Sequence, residues 1–99
     1  MALKIKWTKK AEKSFDQIIE FLQEEWSLNS AIRFVQKTNS FIETLKEQPK
    51  IGRPEKVKKD LRSFVLSRQT TVFYRIKGNE VIILLKFFDT RQNPVKRMK

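Results

Sequence analysis

The chain is 99 residues long and 39% hydrophobic, and it carries 22 Lys or Arg against 11 Asp or Glu, a formal net charge of +11. That length suits a single domain spanning 1–99 around one core, and no run of about 18 apolar residues is present to cross a bilayer. With neither cysteine nor histidine, the sequence excludes disulfides, thiolate metal sites, cysteine nucleophiles and imidazole bases.

Leu3, Ile5 and Trp7 alternate with Lys4 and Lys6. This is the period of a half-buried strand, and lysines on its wet side suit a sheet edge, where they discourage stray pairing. Thr8 can cap a helix whose apolar residues Ala11, Phe15, Ile18, Ile19, Leu22 and Trp26 recur every three or four positions and form one stripe. Ser27, Asn29 and Ser30 then offer caps for a second helix, with Ala31, Phe34, Val35, Thr38, Phe41, Ile42 and Leu45 along one face and an end before Pro49. So short a link makes the helices fold back into an αα-hairpin that lays its joint apolar face on a sheet. The aromatic residues of both stripes read as core.

Pro49, Gly52 and Pro54 mark a loop. The stretch to Asp60 holds Lys50, Lys56, Lys58 and Lys59 with only Ile51 and Val57 to bury, so it reads as an exposed connection. From there the pattern is β: 61–66, 70–77 and 80–88, the last two joined by a two-residue turn at Gly78-Asn79. Val81 to Leu85 is continuously apolar, as in a strand covered on both faces, and belongs centrally. On the strand before it, Val72, Tyr74 and Ile76 share one side and Thr71, Phe73 and Arg75 the other. Asp89 to Pro94 ends the pairing and leads to Lys96, Arg97 and Lys99. The predicted class is α+β: an N-terminal strand, an αα-hairpin and a three-stranded antiparallel meander, with no repeat or linker. The N-terminus lacks the long apolar stretch of a secretory signal, so a cytoplasmic location is expected.

Charge is unevenly placed along this pattern. Residues 50–99 hold fourteen bases and four acids, whereas residues 1–49 hold eight bases and seven acids. The excess therefore falls on the β half and its loops, a surface suited to a polyanionic or strongly acidic partner. Lys56, Lys58, Lys59, Arg62, Arg68, Arg91, Lys96 and Arg97 are the candidate target- or phosphate-binding cations. The acids Asp60, Glu80 and Asp89 are scattered rather than spaced as metal ligands, and nothing points to a metal or organic cofactor.

Several stretches, in this order, resemble the RelE/ParE superfamily of bacterial toxins, the toxic partners of type II toxin–antitoxin (plasmid-stabilisation) modules. They are Trp7 with Ala11-Glu12; Leu45, Pro49 and Ile51-Gly52-Arg53-Pro54; Leu61-Arg62; Val72-Phe73-Tyr74-Arg75-Ile76; and Phe88-Asp89-Thr90-Arg91-Gln92-Asn93-Pro94. The resemblance covers nearly the whole chain. It implies a sheet curved around the helical hairpin, and an acidic cognate antitoxin that wraps the toxin in a hetero-oligomer and folds on binding.

The branches of the superfamily differ in target: RelE-like members cut mRNA on the ribosome, whereas ParE-like members poison DNA gyrase without cleaving RNA. RNA cleavage by 2′-hydroxyl attack needs a proton acceptor, cations for the phosphorane and an acid or cation for the leaving oxygen. The RelE lysine pair would fall on Arg62 and Phe64 here and its mid-strand arginine on Thr71, so two of three positions lack the chemistry. Tyr74, the chain's one tyrosine, reads as structural. If the chain were a ribonuclease, Arg62, Arg68, Arg91 and Lys96 would be its candidate catalytic residues. The Ile51-Gly52-Arg53-Pro54 and Arg91-Gln92-Asn93-Pro94 stretches look ParE-like and favour a gyrase-binding toxin. A RelE-like endoribonuclease and a non-toxic antitoxin-binding member are the alternatives.

Overall fold

The computed structural model describes residues 3–58 and 60–91. Its elements run β1 (Lys4–Trp7), α1 (Lys9–Glu25), α2 (Leu28–Glu47), a 3-10 turn (Pro49–Ile51), β2 (Arg53–Pro54), β3 (Leu61–Val65), β4 (Thr70–Lys77) and β5 (Val81–Asp89). The strands form one sheet in the order β1-β5-β4-β3-β2. β3, β4 and β5 are the expected antiparallel meander, and β1 adds to its edge parallel to β5.

Local chemistry fixes the helix ends. Thr8 Oγ1 accepts the Ala11 N–H at the start of α1 and donates to the Leu84 carbonyl (2.9 Å), so one side chain caps the helix and ties it to β5. Ser27 caps α2 through the Ser30 N–H, and Pro49 follows the helix end. Both helices lie on one face of the sheet, where Ala11, Ile18, Leu22, Ala31, Phe34, Phe41 and Leu45 meet Val72, Tyr74, Ile82, Leu84 and Phe87. Aromatic rings knit the layers together: Phe41 stacks on Phe64 (4.5 Å between centroids) and Trp7 on Phe87 (5.5 Å). The αα-hairpin and the aromatic core thus stand as the sequence predicts.

Four expectations need correction. Trp26 is 57% exposed: α1 ends at Glu25, and the non-helical backbone of Trp26, its C-cap, takes that side chain off the buried stripe. The segment read as a plain loop supplies β2, in which Arg53 and Pro54 pair with Ser63 and Arg62; proline is tolerated on such an edge because its missing N–H leaves no ladder position empty. The β4–β5 connection has three residues rather than two, since Lys77 pairs with Val81, and Gly78 takes the left-handed conformation (φ 60°). Finally, β5 is flanked by strands on both edges, but among the described residues helices cover only one of its faces. Ile82 and Leu84 are buried while Val81, Ile83 and Leu85 stay partly exposed. A run of apolar residues records neighbours on both edges as readily as cover on both faces.

Candidate functional site

Between α2 and β3 the helix–sheet seam opens into a groove of about 520 Å³, and toward the α1–α2 turn it adjoins a second of about 250 Å³. Phe41, Phe64, Leu66 and Ile51 supply an apolar lining. Arg33 and Lys37, one helical turn apart on α2, border both hollows, and Arg91 borders the second. Among the described residues no acidic side chain lines either one. Apolar lining and positive rim together fit an amphipathic, acidic segment.

Two buried polar clusters set the ends of this region. At one, Tyr74 Oη donates to the Pro49 carbonyl (2.7 Å) and accepts the Gly52 N–H (2.8 Å), while Arg62 Nη1 donates to the Gly52 carbonyl (2.6 Å) and more weakly to that of Lys50 (3.3 Å). Arg62 pairs with Tyr74 across the ladder, which puts it on the helix side of the sheet and within reach of this turn. Burial pushes the Tyr74 hydroxyl above its ordinary pKa, against the opposing pull of the Gly52 N–H and the Arg62 charge.

At the other end, Asp89 is fully buried and accepts hydrogen bonds from Thr70 Oγ1 (2.6 Å) and from Arg91 Nη2 (2.8 Å), Nε (3.1 Å) and backbone N–H (2.9 Å). Burial alone would raise its pKa, but the hydrogen bonds from Arg91 and Thr70 outweigh it and hold the carboxyl below its ordinary value. The Arg91 guanidinium also lies 5.3 Å from the Trp26 ring. Trp26 thus exchanges the core position predicted for it for a contact with the chain's far end.

The candidate cations of the sequence fall into separate groups. Lys56 and Lys58 are exposed on the β2–β3 loop, and Arg62 is bound into the Tyr74 cluster at its base. Arg68, exposed on the β3–β4 turn, and Arg91 lie at the opposite end of β3. Lys59, Lys96 and Arg97 lie outside the described residues. Arg33 and Lys37 were not among the candidates, because they belong to the near-neutral half of the chain. Their signal is local: an i, i+4 cation pair beside an apolar stripe, with Asn29, Gln36 and Ser40 rather than acids around it.

The ParE toxin family of type II toxin–antitoxin systems (parDE) matches residues 5–94. Among curated proteins nothing matches the sequence. Solved structures share the fold: a chain of the chromosomal ParDE system from P. aeruginosa superposes with a TM-score of 0.72 at 24% identity, covering 89% of this chain and 96% of that one. A YoeB/ParE toxin from Agrobacterium tumefaciens gives 0.67 at 22% identity, with 88% and 98% covered. A chain of the RelBE2 toxin–antitoxin complex from Mycobacterium tuberculosis gives 0.63 at 14% identity, with 90% and 99% covered. The likeness to these structures establishes the architecture, and the family match, running through all the described strands and both helices, establishes kinship: the chain belongs to the ParE toxin family of type II toxin–antitoxin systems.

Proposed function

We propose that this toxin arrests growth by binding DNA gyrase and not by cleaving RNA, and that an acidic segment of its antitoxin occupies the α2–β3 groove. The observation that carries the first part is the engagement of two of the candidate catalytic side chains, Arg62 and Arg91, in internal contacts, while Arg68 stands exposed on its turn and Lys96 lies outside the described residues. Arg62 holds the Gly52 carbonyl, Arg91 holds Asp89, and Tyr74 is buried with its hydroxyl joined to Pro49 and Gly52. A cation fixed in this way is not available to stabilise a developing phosphorane without first breaking structural bonds. The ParE-like Ile51-Gly52-Arg53-Pro54 stretch, which builds that same cluster, supports the same branch.

The second part rests on charge complementarity: Arg33 and Lys37 beside an apolar lining favour an amphipathic acidic occupant. Structural relatives include chains solved as toxin–antitoxin complexes. A cytoplasmic site of action follows from a gyrase target.

Inducing the chain in bacteria without its antitoxin tests the target. Trapped gyrase cleavage complexes with intact transcripts are the expected result; new transcript 5′ ends with gyrase unaffected would overturn it in favour of an endoribonuclease. Absence of any growth defect would identify a non-toxic antitoxin-binding member. For the groove, Lys37→Glu should weaken antitoxin binding about tenfold while the exposed Lys13→Glu should not.

A further inference from the structure

The helices cover one face of the sheet, and the other face has a composition of its own. Register places its residues in rows: Lys4, Val81 and Lys77; then Lys6, Ile83, Arg75 and Leu61; then Lys86, Phe73, Ser63 and Arg53. Each row sets partly exposed apolar groups among cations. No strand residue on this face is acidic; at its β2–β3 margin the Glu55 carboxylate accepts a hydrogen bond from Ser63, and of the face's cations only Arg75 is ion-paired among the described residues, to Asp60.

Phe73 is the distinctive member. The aromatic pairs of the core join Trp7, Phe15, Phe34, Phe41, Phe64, Tyr74 and Phe87. Phe73 points the opposite way, is partly exposed, and sits across the ladder from Lys86. Lys86 Nζ in turn lies 5.7 Å from the Phe88 ring centroid, so cation and aromatic groups are interleaved. A strand surface with partly exposed rings and lysines two residues apart that have no ion pair among the described residues can stack a base while the lysines meet the phosphates on either side.

We infer that the sheet face opposite the described helices binds a single-stranded polynucleotide, with Phe73 stacking a base and Lys4, Lys6, Lys77 and Lys86 contacting phosphates. These residues are distinct from the loop and tail cations, and the inference holds whichever macromolecule the toxin inhibits. Paired bases hide their faces in the duplex stack, so the surface favours single strands. It requires no bond to break.

Fluorescence anisotropy of the purified full chain with labelled dT12 and rU12, and with a 12-base-pair duplex, tests this. Both single strands should bind more tightly than the duplex at about 50 mM salt; a preference between dT12 and rU12 tells DNA from RNA as the natural source. Lys6→Gln and Lys86→Gln should each lower the slope of log K against log salt by about 0.7, as expected for one lost phosphate contact on a single strand. Phe73→Leu, which keeps an apolar side chain, should weaken binding about tenfold with the slope unchanged. The helix-borne Lys13→Gln is the control. Failure of both single strands to bind, tighter binding of the duplex, or a Lys13→Gln effect as large as that of Lys86→Gln would overturn the inference.

Discussion

The two buried polar clusters perform the same task with opposite chemistry. Around Tyr74 a neutral hydroxyl and a guanidinium gather backbone groups of the 3-10 turn and Gly52, which holds the approach to β2 against the sheet. Around Asp89 an ionised carboxylate gathers Thr70 and Arg91, closing β5 onto the start of β4. Each cluster anchors a segment bearing candidate cations, yet one depends on a group staying neutral and the other on a group staying charged. Their responses to acid and alkali are therefore opposite.

The Asp89 end carries the larger effect. Asp89→Ala leaves Arg91 and the buried Thr70 hydroxyl without their acceptor and should cost about 3 kcal/mol in urea unfolding at neutral pH. The comparison sharpens with pH. A carboxyl held below its ordinary 3.8 stays ionised in the folded state while the unfolded state takes up a proton, so its stabilisation is present above that value and is lost as pH falls through the folded pKa. Tyr74 has its hydroxyl pKa raised above 10.0, so the unfolded state ionises first and stability declines as pH rises past that value. Asp89→Asn should flatten the acid limb of stability alone, and Tyr74→Phe the alkaline limb alone. A change in the wrong limb would break the comparison.

Gly52→Ala comes next. An added Cβ would stand 2.6 Å from Tyr74 Oη and 2.8 Å from the Ser63 carbonyl, so the turn has to shift, at about 2 kcal/mol. Combining it with Tyr74→Phe should relieve the clash only in part, because the Ser63 carbonyl remains. Tyr74→Phe by itself leaves the Gly52 N–H and the Pro49 carbonyl without their partner and should cost about 1.5 kcal/mol. Smallest is Arg75→Ala: its ion pair with Asp60 is exposed, and thermal unfolding should move little. The hydrogen bond from Arg75 lowers the Asp60 pKa, and substitution should return it toward its ordinary value in an NMR titration.

Much of this was legible beforehand. The spacing of Ala11, Ile18 and Leu22, and of Ala31, Phe34, Phe41 and Leu45, foretold buried helix faces, since a helix brings every third or fourth residue to one side. Tyr74 was readable as structural from its apolar neighbours at alternate positions. Its partners were not, because Pro49 and Gly52 lie more than twenty residues away and meet it only when β3 pairs with β4. The short β2 strand was illegible for a related reason: Arg53 and Pro54 have no strand propensity, and the edge of β3 alone draws them into the sheet.

Sequence alone carried the order of the elements other than β2, the helical hairpin, the edge placement of β1, the family and the concentration of charge in the β half. All of these are periodicities, motifs or sums, which do not depend on distant contacts. Folding settles which cations are engaged inside the protein and which stand exposed. Arg62 and Arg91 are drawn into internal clusters by carbonyl and carboxylate oxygens that folding brings beside them. Lys6, Lys77 and Lys86, on three different strands, come to share the face opposite the described helices because strand register sets both neighbour and side.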